Sequence, residues 1–94
     1  MHPLDDTPED LSLNQKVADK LREAADLLHS QGANPFRVSA YRRAAQTVTT
    51  LRRDLRDIVA REGVDGLTAL PGIGRGIAAA IEEILRTGRW SQIE

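Results

Sequence analysis

Cysteine is absent from the 94 residues, so disulfides and thiolate metal centres are excluded, and a reducing cytoplasm is the setting this composition suits. No apolar run approaches the length needed to span a bilayer, and the acidic start is unlike a secretory signal peptide; no membrane partner is expected. No stretch alternates with period two for long enough to be a strand, which leaves an all-α chain. Size excludes a second core, because 94 residues support one modest core and hence one domain. Lysine is confined to Lys16 and Lys20, and every base after residue 34 is arginine, whose planar fork suits bidentate phosphate contacts.

What is present is unevenly charged. Residues 1–34 carry seven acids against three bases, whereas residues 35–94 carry ten arginines against seven acids, within a net charge of -1. That split favours a nucleic-acid partner only slightly, since differences of a few charges are common on ordinary surfaces.

Taken in order, residues 1–11 are acidic, contain Pro3 and Pro8 and lack periodicity, which predicts a flexible tail. Ser12 and Gln15 have capping-box spacing, and Leu13, Val17, Leu21, Ala24, Ala25 and Leu28 continue a helical stripe to about Ser30, ending at Gly32. Asn34 and Pro35 form a start signal for a second helix, which should bury Phe36, Ala40, Tyr41, Ala44, Ala45 and Val48 and end near Leu51. Arg42, Arg43, Gln46, Arg52, Arg53 and Arg56 read as a solvated face. Asp54 should cap a third helix over residues 55–62, stopped by Gly63 and burying Leu55, Ile58 and Val59. A short fourth helix from about residue 65 leads into the most informative stretch of the chain.

That stretch is residues 70–78, Leu-Pro-Gly-Ile-Gly-Arg-Gly-Ile-Ala. Pro71 ends the preceding helix, and Gly72 and Gly74 permit a tight turn and the close approach of another molecule. Ile77, Ile81, Ile84 and Leu85 then mark one face of a fifth helix, from about Arg75 to Gly88. Its first N–H groups lack internal acceptors and lie at the positive end of the macrodipole, so they favour an anion such as phosphate, with Arg75 beside it. A helix C-cap followed by a short connection is the bland alternative. A dinucleotide-binding turn fits less well, because no strand precedes the glycines. Trp90 and Ile93, beyond the fifth helix, are left either to pack back onto the bundle or to begin another element.

The pattern of apolar residue, proline, glycine, apolar residue and glycine before an apolar helix resembles the helix-hairpin-helix module, here over about residues 65–87. Ala24 to Leu28, Asn34 to Ala45 and residues 70–88 together resemble the N-terminal domain of family X DNA polymerases, over about residues 13–94. The resemblance implies a compact bundle of about five helices ending in the helix-hairpin-helix, which holds gapped DNA by the strand carrying a 5'-phosphate during base excision repair. It implies a phosphate pocket at Arg37 and Tyr41, and backbone contacts at Gly72, Ile73, Gly74, Arg75 and Gly76. It further implies that the carbonyls of Thr68, Leu70 and Ile73 would hold a potassium or sodium ion; no other cofactor is required. Several family members form a Schiff base through a lysine, but the corresponding positions here are Ala80 and Gly76, neither of which can do amine chemistry.

The expected function is therefore a non-enzymatic, sequence-nonspecific DNA-binding module acting in DNA repair, with gapped or 5'-phosphorylated DNA as partner and a downstream domain or protein as a further one. A protein-interaction adaptor that has lost DNA binding is the alternative. A lyase using Lys16, Lys20 or the terminal amine is the third and most distant reading.

Overall fold

A computed structural model describes residues 6–87, which fold into four helices: α1, Asp6–Ser30; α2, Pro35–Thr50; α3, Leu55–Thr68; and α4, Arg75–Thr87. No strand occurs among the described residues. Trp90 and Ile93 lie outside them.

The helix ends are set by the residues that signalled them. At the end of α1, Gly32 has φ +73, its N–H donates to His29 O at 3.1 Å, and the Ala33 N–H donates to Leu28 O at 2.9 Å. This is a Schellman closure, with glycine supplying the left-handed residue. Asn34 Oδ1 accepts from the Phe36 amide at 2.8 Å, and Pro35 occupies the first turn of α2. Asp54 Oδ1 accepts from the Arg56 amide at 2.8 Å and caps α3. The expected stop at Gly63 is a kink, with φ 68 and ψ -159, across which residues 55–62 and 64–68 run on as one element. That is why four helices stand where about five are predicted.

Three other expectations about the helices are corrected. The first helix begins at Asp6, ahead of Ser12. Pro8 falls in its first turn, where the missing N–H would have no acceptor anyway. Phe36 is 84% exposed, and Val38 takes its place in the core. Five residues before Tyr41, Phe36 is rotated about 140° from it around the helix, whereas Val38 lies within about 60°. Ala40, Val59 and Leu85 are half-buried rather than buried.

α1 and α2 form the most extensive pairing, and α4 packs against α1, α2 and α3. Small residues on both partners, Ala18, Ala24 and Ala25 facing a set that includes Ala44 and Ala45, let the first pair approach closely, while Leu21, Leu55, Ile58, Leu67 and Ile81 fill the centre. Asn14 is a polar residue within this core, 2% exposed. Its Nδ2 donates to Arg53 O at 2.6 Å and its Oδ1 accepts from the Leu55 amide at 2.9 Å. One side chain thus satisfies two backbone groups of the α2–α3 connection and fastens it to α1.

Candidate nucleic-acid interface

The hairpin joining α3 to α4 is built from its own backbone and then anchored to α2. Ala69 and Leu70 close the end of α3 through amides donating to Asp65 O and Leu67 O, at 3.1 and 3.0 Å. The Ile73 amide then donates to Leu70 O at 3.2 Å around Pro71 and Gly72, and Gly72 has φ +76. Proline followed by a positive-φ glycine is the signature of a type II turn. Ile73 is 4% exposed and fixes the turn in the core. The Thr47 hydroxyl donates to Pro71 O at 2.8 Å from α2, and the Arg43 stem lies on Gly72, where an added Cβ would come within 2.8 Å of Arg43 Cδ.

Beyond the turn, the Ala78 amide donates to Gly74 O at 2.9 Å, the first bond of α4. Gly74 is therefore the N-cap, and the amides of Arg75, Gly76 and Ile77 precede any intrahelical acceptor. Gly74 and Gly76 differ from Gly72. Neither has positive φ, and a Cβ at either would meet nothing within 4 Å. Arg75 is exposed between them.

The hairpin glycines open onto a cavity of about 420 Å³. Arg37, Ala40 and Tyr41 form its α2 wall; Gly72, Gly74, Gly76 and Ile77 form the hairpin side, and Ala79, Ala80 and Glu83 the α4 side. Tyr41 is 5% exposed, so its ring belongs to the core while the residue also borders the cavity. The Arg37 guanidinium carbon lies 5.9 Å from the Tyr41 ring centroid, within cation–π range.

Of the residues singled out from the sequence, Gly72, Gly74, Gly76, Arg37 and Tyr41 converge on this cavity. Arg75 stands beside it. Ile73 can offer a ligand only its backbone. Thr68 and Leu70 sit at the α3 end of the turn and do not line the cavity; the Leu70 carbonyl already accepts the Ile73 amide and keeps a second lone pair. Ala80 and Gly76 face the cavity without an amine, whereas Lys16 and Lys20 line a separate groove with Leu13, Val17 and Ile84.

Three residues were not legible as part of this site. Arg43 and Thr47, four apart on one face of α2, meet the hairpin only through tertiary packing. Glu83, one turn past Ala79, adds a carboxylate to the cavity. The remaining arginines sort by partner: Arg42 pairs with Asp26 at 3.3 Å, Arg53 with Glu62 at 2.9 Å and Arg61 with Asp57 at 2.9 Å. The Asp57 hydrogen bond and charge raise the Arg61 pKa above its ordinary value. Among the described residues, no carboxylate pairs with Arg43 or Arg75.

Two helices joined by a type II turn that exposes the amides of the second helix are the defining parts of a helix-hairpin-helix. A family model described as a helix-hairpin-helix domain matches residues 12–90, and the chain belongs to that family. It is similar to the DNA polymerase/3'-5' exonuclease PolX of Bacillus subtilis (strain 168), at 34% identity over 74 residues, in keeping with the family X resemblance read from the sequence. The match takes in 79% of this chain and 12% of that protein, so the chain spans about an eighth of its relative's length. No helix among the described residues is long and apolar enough to cross a membrane.

Proposed function

We propose that the domain binds DNA through the sugar-phosphate backbone, without reading base sequence and without catalysis of its own. The observation that carries this reading is the pair Gly74 and Gly76. Internal packing does not require glycine at either position, nor does backbone conformation, and glycine in a helical position such as Gly76 costs about 0.5–1 kcal/mol relative to alanine. What a missing side chain provides there is room for an outside molecule to reach the amides. At a helix N-terminus flanked by Arg75, the fitting molecule is an anion, and a DNA phosphate supplies it.

Around that grip, the cavity bordered by Arg37 and Tyr41 is the proposed seat of a strand end and its 5'-phosphate. Phe36, exposed and next in the chain to Arg37, offers a flat apolar face to an unpaired base. Gapped DNA combines both features, which suits a role in repair within a reducing cytoplasm. A hard cation such as potassium or sodium would be held by the neutral carbonyl oxygens of Thr68, Leu70 and Ile73, an assignment that rests on the family resemblance. With Ala80 and Gly76 on the cavity wall, this chain supplies no amine to attack a sugar there. A polymerase-type domain is the natural companion, since the similar Bacillus subtilis protein is a DNA polymerase/3'-5' exonuclease.

The test is fluorescence anisotropy of labelled gapped DNA, with and without a 5'-phosphate, across a salt series. If three or four phosphates are engaged, log affinity falls with log salt at a slope of roughly -2 to -4, with Kd in or above the micromolar range. Binding that strengthens with the 5'-phosphate is expected; a slope near zero rejects the mechanism. The adaptor reading draws on the groove of Val59, Ala60 and Leu85 between Arg56, Glu82 and Arg86, and absence of DNA binding at low salt would favour it.

A further inference from the structure

We infer that Arg43, which lies on α2 outside the hairpin motif, is a second phosphate-contacting cation of the hairpin; the inference rests on the backbone-binding reading above. Its Cγ and Cδ lie over Gly72, at 2.9 and 2.8 Å from the position a Cβ there would take. The guanidinium is bonded to that Cδ, so covalent geometry holds the charge beside the turn. Gly72 in turn borders the cavity and leads into the exposed amides of α4.

Two further observations separate Arg43 from an ordinary surface arginine. Its neighbour Arg42 is exposed as well, yet Arg42 turns to Asp26 of α1 at 3.3 Å, whereas Arg43 has no ion pair among the described residues. One turn further along the same face, Thr47 donates to Pro71 O at 2.8 Å and ties the turn to α2. Arg43 and the hairpin are thereby carried on one packed unit, and the stem is laid down before any ligand arrives. Less side-chain freedom is then lost on binding than for a freely moving arginine. A backbone phosphate at the hairpin meets cations from two helices, Arg75 on α4 and Arg43 on α2, with the amides between them.

The decisive variant is Arg43→Met, which keeps methylenes over Gly72 and removes the charge; Arg43→Lys restores a charge, Arg42→Met controls for general surface charge, and Arg75→Met serves as comparator. Each is titrated by anisotropy onto gapped duplex DNA over a potassium chloride series, and folding is checked by thermal melting. Arg43→Met is expected to weaken binding roughly three- to tenfold and to reduce the magnitude of the salt slope by about one, and Arg43→Lys to restore the slope. Arg42→Met should leave the slope unchanged. A packing role alone would move the melting temperature and leave the salt slope where it was. If Arg75→Met weakens binding while Arg43→Met binds with the parent's affinity and slope, the inference about Arg43 is overturned and backbone binding stands. If the parent itself does not bind, both fall.

Discussion

Replacing Gly76 by alanine should raise stability and lower DNA affinity at once. Gly76 is the second residue of α4, and a Cβ built there meets nothing within 4 Å. Its φ is not positive, so the methyl enters without strain or clash. Alanine also restricts the unfolded chain, and the gain is about 0.5–1 kcal/mol. For a domain of this size that corresponds to a rise in Tm of roughly 2–8 °C. The same methyl points toward the N-terminal end of the helix, as every helical Cβ does, and so into the space where the phosphate is proposed to lie. Pushing the phosphate away from one amide forfeits a charge-assisted hydrogen bond worth about 1.5–3 kcal/mol, a loss of roughly tenfold or more in affinity. Circular dichroism melts and anisotropy on gapped DNA, run on the same preparations, read the two effects separately. A variant that melts higher and binds as tightly as the parent would show that Gly76 does not face DNA, and the reasoning would fail.

Gly72→Ala should act in the opposite direction, lowering Tm, because alanine at φ +76 is strained by about 1–2 kcal/mol and its methyl would meet the Arg43 stem at 2.8 Å; an unchanged melt would contradict the turn geometry. Asn14→Leu should cost roughly 2–4 kcal/mol in urea unfolding, since the Leu55 amide and the Arg53 carbonyl both lose their partner; a loss below about 0.5 kcal/mol, the level of an ordinary surface change, would refute the clamp. Phe36→Ser should leave Tm nearly unchanged because the ring is 84% exposed, yet reduce affinity for gapped DNA more than for continuous duplex, as expected for a stacking contact of about 1–3 kcal/mol. Equal losses on both DNAs would remove Phe36 from the interface.

Local chemistry made most of the fold legible. Asn34 with Pro35, Asp54, Gly32 and Gly63 each act through a backbone bond or dihedral confined to a few residues, so reading them required no knowledge of neighbouring helices. The hairpin was legible for the same reason: proline, positive φ at Gly72 and the start of α4 are all encoded within residues 70–78. Phe36 runs against its apolar character, because its place about 140° from Tyr41 around α2 turns the ring to solvent. Asn14 carried a usable signal, since it falls three, four and seven residues before Val17, Ala18 and Leu21 and so lies on the buried stripe. Its partners, however, are 39 and 41 residues away. Arg43 and Thr47 show the limit most clearly. Their spacing puts them on one face of α2, but only packing determines that this face meets Pro71 and Gly72.

Amide chemical-shift mapping tests the central claim most directly. The ¹⁵N-labelled chain is titrated with a short gapped duplex at low salt and the perturbation of each backbone amide is followed. Backbone binding through the hairpin predicts that Gly74, Arg75 and Gly76 shift first and furthest, with Arg37 and Phe36 following, while Glu23 and Asp26 on the acidic side of α1 stay still. Shifts centred on the groove of Val59 and Leu85, or spread evenly over the surface with no focus at residues 72–77, would contradict it.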